Sequence, residues 1–349
     1  MRSTLKYKIA VLTAGFLALT SMRTADHRAT PCDSSVAPEN EISVLTYNVK
    51  GLPWPLASGR EEPLRRIASG LRELCGTVDR PDIVVLQEAF GEAADDFVRQ
   101  AGYRHVLRGP NVDAAELESS ASWDAQFLDN ASTMLGEGLG RYLDSGLVIL
   151  SDRPIELAAS GMFPQDACAG YDCLASKGIV LAHVSLGNDL PEFLIGNTHM
   201  NAKNSSGASP ERQLEAYRRQ VDVASEFVRR NRDIRLPFVF AGDFNQGTVE
   251  ARRNHLFASA LDVGDRNDGL RVLAARGQEP VGTDEVIRHG ADYQFYFSSQ
   301  QWTLEPIRAS IPLGSANVGK ELSDHIGFVV TYRLTPAGEV RNLEAFDAS

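Results

Sequence analysis

Six short segments each carry a residue able to bind a cation or move a proton. They are Tyr47-Asn48, Gln87-Glu88, Thr198-His199, Gly242-Asp243-Phe244-Asn245, Asp292-Tyr293 and Ser323-Asp324-His325. Together they supply carboxylate and amide oxygens and two imidazoles, with no thiolate. Oxygen donors suit a hard divalent cation. An imidazole with a pKa near 6.5 suits a proton acceptor at neutral pH. Attack of water on a phosphodiester needs both. The anionic oxygens of the ester repel a nucleophile, a divalent cation neutralises them, and a base takes the proton of the attacking water. Taken singly, each segment has an ordinary explanation. Asn48 suits a turn, Asp243 and Asn245 suit caps, and His199 suits a satisfied structural histidine. The whole series in order is what points to one site.

Bringing distant segments together needs a rigid frame, and strand ends present side chains at the rim of such a frame. Short β-rich runs alternate with helical stretches. Predicted strands are Ile42–Tyr47, Ile83–Leu86, Gly146–Leu150, Ile179–Val184, Phe193–Thr198, Phe238–Ala241, Ala291–Ser298 and His325–Leu334. The run Ile83–Leu86 is wholly apolar, as in a strand buried on both faces. Pro63–Leu74 predicts a helix, with Leu64, Ile67, Leu71 and Leu74 at helical spacing. Glu211–Arg230 predicts another, with Leu214, Tyr217 and Val221 on one face and a solvated charged face opposite. Residues 111–142 are the least patterned and read as an insertion or a long active-site loop. Many short strands, two of them followed by helices, fit a two-sheet α/β sandwich better than a regular doubly wound sheet.

The chain has 349 residues, 43% of them hydrophobic, enough for one large domain or two small ones. Residues 1–24 resemble an export signal: Arg2, Lys6 and Lys8 precede the apolar run Ile9–Leu19. A short membrane anchor is the alternative, although the run falls short of the ~20 apolar residues that span a bilayer comfortably. Residues 25–40 form a polar leader, 41–335 a catalytic domain and 336–349 a tail. The formal charge is -11, and removing residues 1–24, with four basic residues and no acid, takes it to -15. Such a chain is a poor non-specific binder of polyanions. Arg229-Arg230 and Arg252-Arg253 are short pairs, read as solvated helix faces. Four cysteines in an exported chain permit disulfides. Cys168 and Cys173 either pair across a loop or stand as separate buried thiols. They do not look like a zinc site, because no second close Cys or His pair accompanies them.

The six segments in order resemble the signature of the endonuclease/exonuclease/phosphatase superfamily, over roughly residues 42–334. The superfamily includes pancreatic-type deoxyribonucleases, abasic-site endonucleases, inositol-polyphosphate phosphatases and neutral sphingomyelinases. The resemblance implies a four-layer α/β/β/α sandwich, two packed mixed β-sheets flanked by helices, with the site at one end. It implies Glu88 as main metal ligand, helped by Asn48, with Asp324 and Asp243 as further oxygen donors. Mg²⁺ is the expected cation, with Mn²⁺ or Co²⁺ as substitutes. It implies His325 as general base and Asp292 as the group that holds its ring. His199 would contact the phosphoryl oxygen or assist the leaving group. Asp243 and Asn245 would contact the phosphoryl group, the water or a second metal. Family mechanisms place the base either on the histidine or on the Asp of the Gly-Asp-x-Asn segment; His325 is preferred here.

Three features resemble the neutral sphingomyelinase branch. In Asp172-Cys173-Leu174-Ala175-Ser176-Lys177-Gly178, an Asp and a Lys five residues on would act beside the site. The alternative is an ordinary turn carrying a surface ion pair. Gln301-Trp302-Thr303-Leu304, followed by Pro306, Ile307, Ile311, Pro312 and Leu313, resembles a membrane-touching hairpin. It lacks the exposed aromatic pair typical of that hairpin, and packing into the core is the alternative. Asn48-Val49-Lys50-Gly51-Leu52-Pro53-Trp54 and the run Asp144–Ser151 also lie nearer this branch than the nucleases. The expected function is an exported Mg²⁺-dependent phosphodiesterase acting on a phospholipid headgroup, at a membrane surface. A secreted nuclease or phosphatase of the same superfamily is the alternative, and a non-catalytic binding relative a third. Nucleic acid is the weaker partner, and no stable protein partner is implied.

Overall fold

A computed structural model describes residues 30–32, 38–52, 57–120, 123, 126–187, 190–313 and 322–338. The expected export signal, Pro53, Trp54 and most of the tail lie outside the described residues. Along the chain come β1 (Glu41–Asn48), α1 (Glu61–Glu73), β2 (Ile83–Gln87), α2 (Gly91–Gln100), β3 (His105–Arg108) and α3 (Gln126–Asp129). Then follow β4 (Val148–Ser151), β5 (Ile155–Met162), β6 (Gly178–Val184), β7 (Phe193–His199), α4 (Pro210–Asn231) and β8 (Phe238–Asp243). The chain continues through α5 (Glu250–Ala258), α6 (Gly269–Ala275), α7 (Thr283–His289), β9 (Asp292–Phe297), β10 (Trp302–Ser310) and β11 (Phe328–Pro336).

The strands form two mixed sheets, in the orders β10-β11-β1-β2-β4-β3 and β5-β6-β7-β8-β9. Their inner faces meet through Val44, Val85, Ile149, Val180, Ile195, Val239 and Phe328, all buried. Burying each such side chain contributes about 1.5–3 kcal/mol. The outer face of the first sheet is covered by α1 and α2, with Leu64, Ile67, Leu71 and Phe97 against Leu45, Val84 and Leu86. The outer face of the second is covered by α4 and α5, with Tyr217, Val221 and Leu256 against Leu181, Phe238 and Phe240. The result is the expected four-layer α/β/β/α sandwich.

Polar side chains cross the inter-sheet core as well. Gln87 donates to Asn197 Oδ1 at 2.8 Å, and Asn197 donates to the Leu86 carbonyl at 2.9 Å. Gln294 donates to the carbonyls of Val44 and Phe328. Buried amides that donate across the sheets in this way fix how one sheet sits on the other. Strand direction then sets the site. β1 pairs with β2 and β7 with β8 in parallel, so Asn48 lies opposite Gln87 and His199 opposite Asp243. β9 runs antiparallel to β8 and begins at that same edge, with Asp292 opposite Asp243.

Some expectations need correction. His325 precedes its strand rather than opening it, since β11 starts at Phe328. The segment after Trp302 is strand β10, paired with β11. Leu304 and Pro306 are buried, and Trp302 and Ile311 pack against the inter-sheet core, so packing replaces the lipid-interface reading there. Arg252 is not solvated. It is buried under the strand ends, donates to the carbonyls of Asn201 and Asn245, and lies over the Tyr217 ring. The expected pairing of Cys168 with Cys173 is present, and Cys32 pairs with Cys75.

Candidate active site

At the shared edge, the amide of Asn48 lies 3.0 Å from Glu88 Oε1 and 2.9 Å from Asp243 Oδ2, between a part-buried and a buried carboxylate. Glu88 and Asn245 both turn sharply out of their strands, with φ of 54° and 48°. A non-glycine residue there stores about 1–3 kcal/mol of strain, which the surrounding structure must hold. The Glu88 carbonyl accepts from the backbone of Gly51 and Phe90. Beside Asp243, Gly242 has φ of 140°, and a Cβ there would sit 2.2 Å from the Thr198 carbonyl oxygen. Only glycine lets β8 approach β7 this closely.

Burial pushes the carboxyls of Glu88 and Asp243 above their usual range, although the Asn48 amide favours their charged forms. Neither forms an ion pair with Lys or Arg among the described residues. His199 Nε2 is 3.9 Å from Glu88 Oε1 and 3.5 Å from Asp243 Oδ2. Two under-compensated carboxylates, Asp243 buried and Glu88 part-buried, with an amide between them are the donor chemistry that a hard divalent cation requires, so Glu88, Asp243 and Asn48 fit one. Asn48 would present its Oδ1, which here accepts from the Lys50 backbone.

His325 lies across this pocket. Its Nδ1 is 2.7 Å from Asp292 Oδ2, and its Nε2 faces Asp243 Oδ2 at 3.7 Å. Burial alone would lower the imidazole's pKa, but the two carboxylates prevail and raise it to about 10. Burial works against the Asp292 charge, yet His325 and His289 bring its pKa down to about 2. His289 was not among the expected residues. It stands edge-on to the His325 ring at 4.6 Å between centroids, with Nδ1 3.8 Å from Asp292 Oδ2. Its spacing, His-x-x-Asp at the end of α7, was the available signal.

Lys177 is buried, and its ammonium meets Asp172 Oδ2 at 3.0 Å, His199 Nε2 at 3.0 Å and the Met200 carbonyl at 3.1 Å. An ammonium only donates, so Nε2 accepts and the imidazole is neutral. Burial and the adjacent Lys177 charge hold the His199 pKa well below its ordinary value. The Asp172–Lys177 pair is therefore an interior strut and not a surface turn. Asn245 donates from its side chain to the Met200 carbonyl, and its backbone donates to Asp243 Oδ1.

Asp324 is set apart. It is half-exposed and pairs with Lys50 at 2.7 Å, while Ser323 tethers the segment by donating to the Asn48 carbonyl. A cavity of about 420 Å³ opens over the site, lined by Asn245, His325, Asp324, Lys203, Arg288 and His289 among others. The Lys203 ammonium meets the Thr248 hydroxyl at 3.3 Å, and Arg288 forms no ion pair among the described residues. Charge is the only sequence signal for these two cations, Lys203 four residues after β7 and Arg288 within α7.

Strand ends gather carboxylates, an amide and an Asp-held histidine over a two-sheet sandwich, the architecture of a phosphoesterase family. Residues 45–325 match the model of the Endonuclease/Exonuclease/phosphatase family, and the chain belongs to that family. A curated relative, sphingomyelin phosphodiesterase 5 of Danio rerio, is 31% identical over 171 residues. That match covers 47% of this chain and 28% of the relative. Among solved structures, a magnesium-bound double mutant of beta toxin from Staphylococcus aureus has a TM-score of 0.54 at 16% identity, covering 83% of this chain and 99% of that one. Sphingomyelinase C from Streptomyces griseocarneus has a TM-score of 0.52 at 19% identity, again covering 83% and 99%. At these identities the structural likeness concerns the fold.

Proposed function

We propose that the chain is an exported, Mg²⁺-dependent phosphodiesterase that hydrolyses a phospholipid headgroup bond, with sphingomyelin as its leading substrate. The observation that carries this reading is the meeting, in one cleft, of the Glu88–Asn48–Asp243 oxygen set with the His325–Asp292 pair. Glu88, Asn48 and Asp243 would hold the cation. When bound, it neutralises the phosphoryl oxygens and the charge of Asp243, one of the two carboxylates that keep His325 protonated. His325 takes the proton of the attacking water through Nε2, while Asp292 holds Nδ1 and stabilises the imidazolium. Lys177, braced by Asp172, supplies positive charge on the His199 side. Asn245 contacts the phosphoryl group, and Arg252 positions Asn245 through its carbonyl. Asp324 acts from the rim, where it offers a carboxylate to a cation or headgroup. The named curated relative and the Asp172–Lys177 loop favour sphingomyelin. Two disulfides agree with an oxidising, extracytoplasmic location.

A second reading rests on Lys203 and Arg288. Two cations beside His325, without carboxylate partners among the described residues, suit a substrate with a further anionic group, as in a nuclease or a phosphatase. Purified protein with Mg²⁺ should be offered sphingomyelin vesicles, phosphatidylcholine vesicles and plasmid DNA in parallel. Preferential release of phosphocholine from sphingomyelin supports the first reading. Nicked plasmid with intact vesicles establishes the second. No turnover of any substrate with Mg²⁺, Mn²⁺ or Co²⁺ leaves a binding relative.

A further inference from the structure

Residues 130–143, Asn-Ala-Ser-Thr-Met-Leu-Gly-Glu-Gly-Leu-Gly-Arg-Tyr-Leu, contain two charged side chains, and both turn inward. Glu137 accepts from the Gly170 backbone at 2.7 Å and from Arg212 at 2.8 Å. Arg141 donates to the Ala175 carbonyl at 2.7 Å and to the Phe163 carbonyl. Apolar side chains turn outward instead. Met134 is 90% exposed, Tyr142 68%, Leu139 49% and the neighbouring Tyr171 47%. A soluble surface seldom withdraws its charges and offers its apolar groups in this way. Elsewhere, exposed Val78, Val106, Val112, Leu157, Ile234 and Val281 stand on separate segments, while exposed Leu128 lies just before this one.

This rim is braced and adjoins the catalytic cleft. The amides of Tyr142 and Leu143 both donate to the Leu174 carbonyl, and Cys168–Cys173 closes the segment that carries Tyr171. Tyr171 donates from its backbone to the Ser206 carbonyl. Its ring lies against Gly207, where an added Cβ would come within 3.1 Å. Ala202 to Ser205, immediately before, form the wall of the cavity that contains His325. The next residue after Tyr171 is Asp172, the brace of Lys177.

We propose that residues 133–143 with Tyr171 form the surface by which the protein docks on a zwitterionic bilayer. The assignment rests on the lipid-substrate reading above. A lipid phosphodiester lies at headgroup depth, so the cleft reaches it only if the surface beside the cleft rests on the bilayer. Tyrosine, apolar along its ring and polar at its hydroxyl, is favoured at that depth. The charge balance selects the lipid. The rim exposes neither Lys nor Arg and the whole chain carries -11, so it matches a neutral headgroup surface and not an anionic one.

The test uses the full chain and a Met134→Asp/Tyr142→Asp variant, both outside the catalytic groups. Binding to phosphatidylcholine vesicles is read by flotation, and hydrolysis of soluble bis(p-nitrophenyl) phosphate with Mg²⁺ reads the cleft independently. The native chain should float with vesicles. The variant should bind roughly tenfold or more weakly, because it forfeits the burial of two large side chains. Its thermal unfolding and soluble-substrate turnover should be unchanged. A Met134→Ser/Leu139→Ser variant serves if the aspartates prevent folding. Equal flotation of variant and native chain overturns the assignment, as does binding only to phosphatidylserine vesicles. A native dimer that the variant dissolves also overturns it, making the rim a self-association surface. Turnover of the soluble ester with no flotation refutes the docking surface alone. Flotation that the variant abolishes, with no hydrolysis of any lipid, upholds the surface and refutes the lipid-substrate reading.

Discussion

Replacing Lys177 with Met tests whether the Asp172 loop is a working part of the cleft. The ammonium makes three contacts of about 3 Å, to Asp172, His199 and the Met200 carbonyl, in a place where the Lys177 side chain is 6% exposed. Removing one partner of a buried pair leaves the other charge uncompensated, at a cost of roughly 3–5 kcal/mol. At ~2–4 °C per kcal/mol for a chain of this class, the melting temperature should fall by roughly 6–20 °C. Thermal and denaturant unfolding measure this, and a double-mutant cycle with Asp172→Asn isolates the pair. The cycle should return a coupling energy of ~0.5–3 kcal/mol. The pH dependence supplies a second reading. His199 is depressed below its ordinary 6.5, so as pH falls through 6.5 the unfolded chain takes up a proton that the native chain refuses. Stability is therefore full above pH 6.5 and declines below it, down to the folded value. Lys177→Met removes one cause of the depression, leaving burial and the His325 charge, so that decline should cover a narrower pH range. A loss under ~1 kcal/mol, as for a surface pair, would refute the reasoning.

Asp292→Asn should leave the fold intact, bring the His325 pKa down from about 10 and cut turnover roughly 10²–10⁴-fold, as seen by NMR titration and by rate. In chelated native protein, the stabilisation from His325 is full below pH 6.5 and lost as pH rises toward about 10. That from Asp292 is full above pH 3.8 and lost as pH falls toward about 2. The pair should therefore stabilise most between about pH 4 and 6.5, and Asp292→Asn should flatten that part of the profile. Gly242→Ala should cost at least ~1–3 kcal/mol, or prevent folding, because its Cβ meets backbone and not a movable side chain; soluble yield and melting temperature report it.

Much of the frame was legible because burial leaves a plain mark. Ile83–Leu86 is apolar on both faces and proves buried on both. The helix faces at Leu64, Ile67 and Leu71, and at Tyr217 and Val221, are the faces that pack. Strand β5 was missed because it lies at an edge, half-exposed, and its Ile-Glu-Leu-Ala-Ala-Ser-Gly-Met shows neither alternation nor an apolar run. In β10, Pro306 and the irregularity next to it hid an edge strand inside what resembled a hairpin tip. Glu88, Asn48, Asp243 and His325, drawn from separate ordered motifs, lie together at one edge, but the motifs do not tell chemistry from architecture. Gln87, inside one motif, and Asn197, immediately before another, serve as inter-sheet ties. Arg252 looked like one half of a surface pair because charge patterning does not reveal which arginine has carbonyls to bind. Asp324 shares a tripeptide with His325, yet the turn after Ser323 sends it outward to Lys50.

The central claim is that Glu88, Asn48 and Asp243 form one cation site within reach of His325. Calorimetric titration of Mg²⁺ into chelated native protein and into Glu88→Gln tests it most directly. A saturable heat in the native chain, weakened at least ~10–100-fold in a variant that still folds, is the predicted result. Equal binding by both proteins would contradict the account.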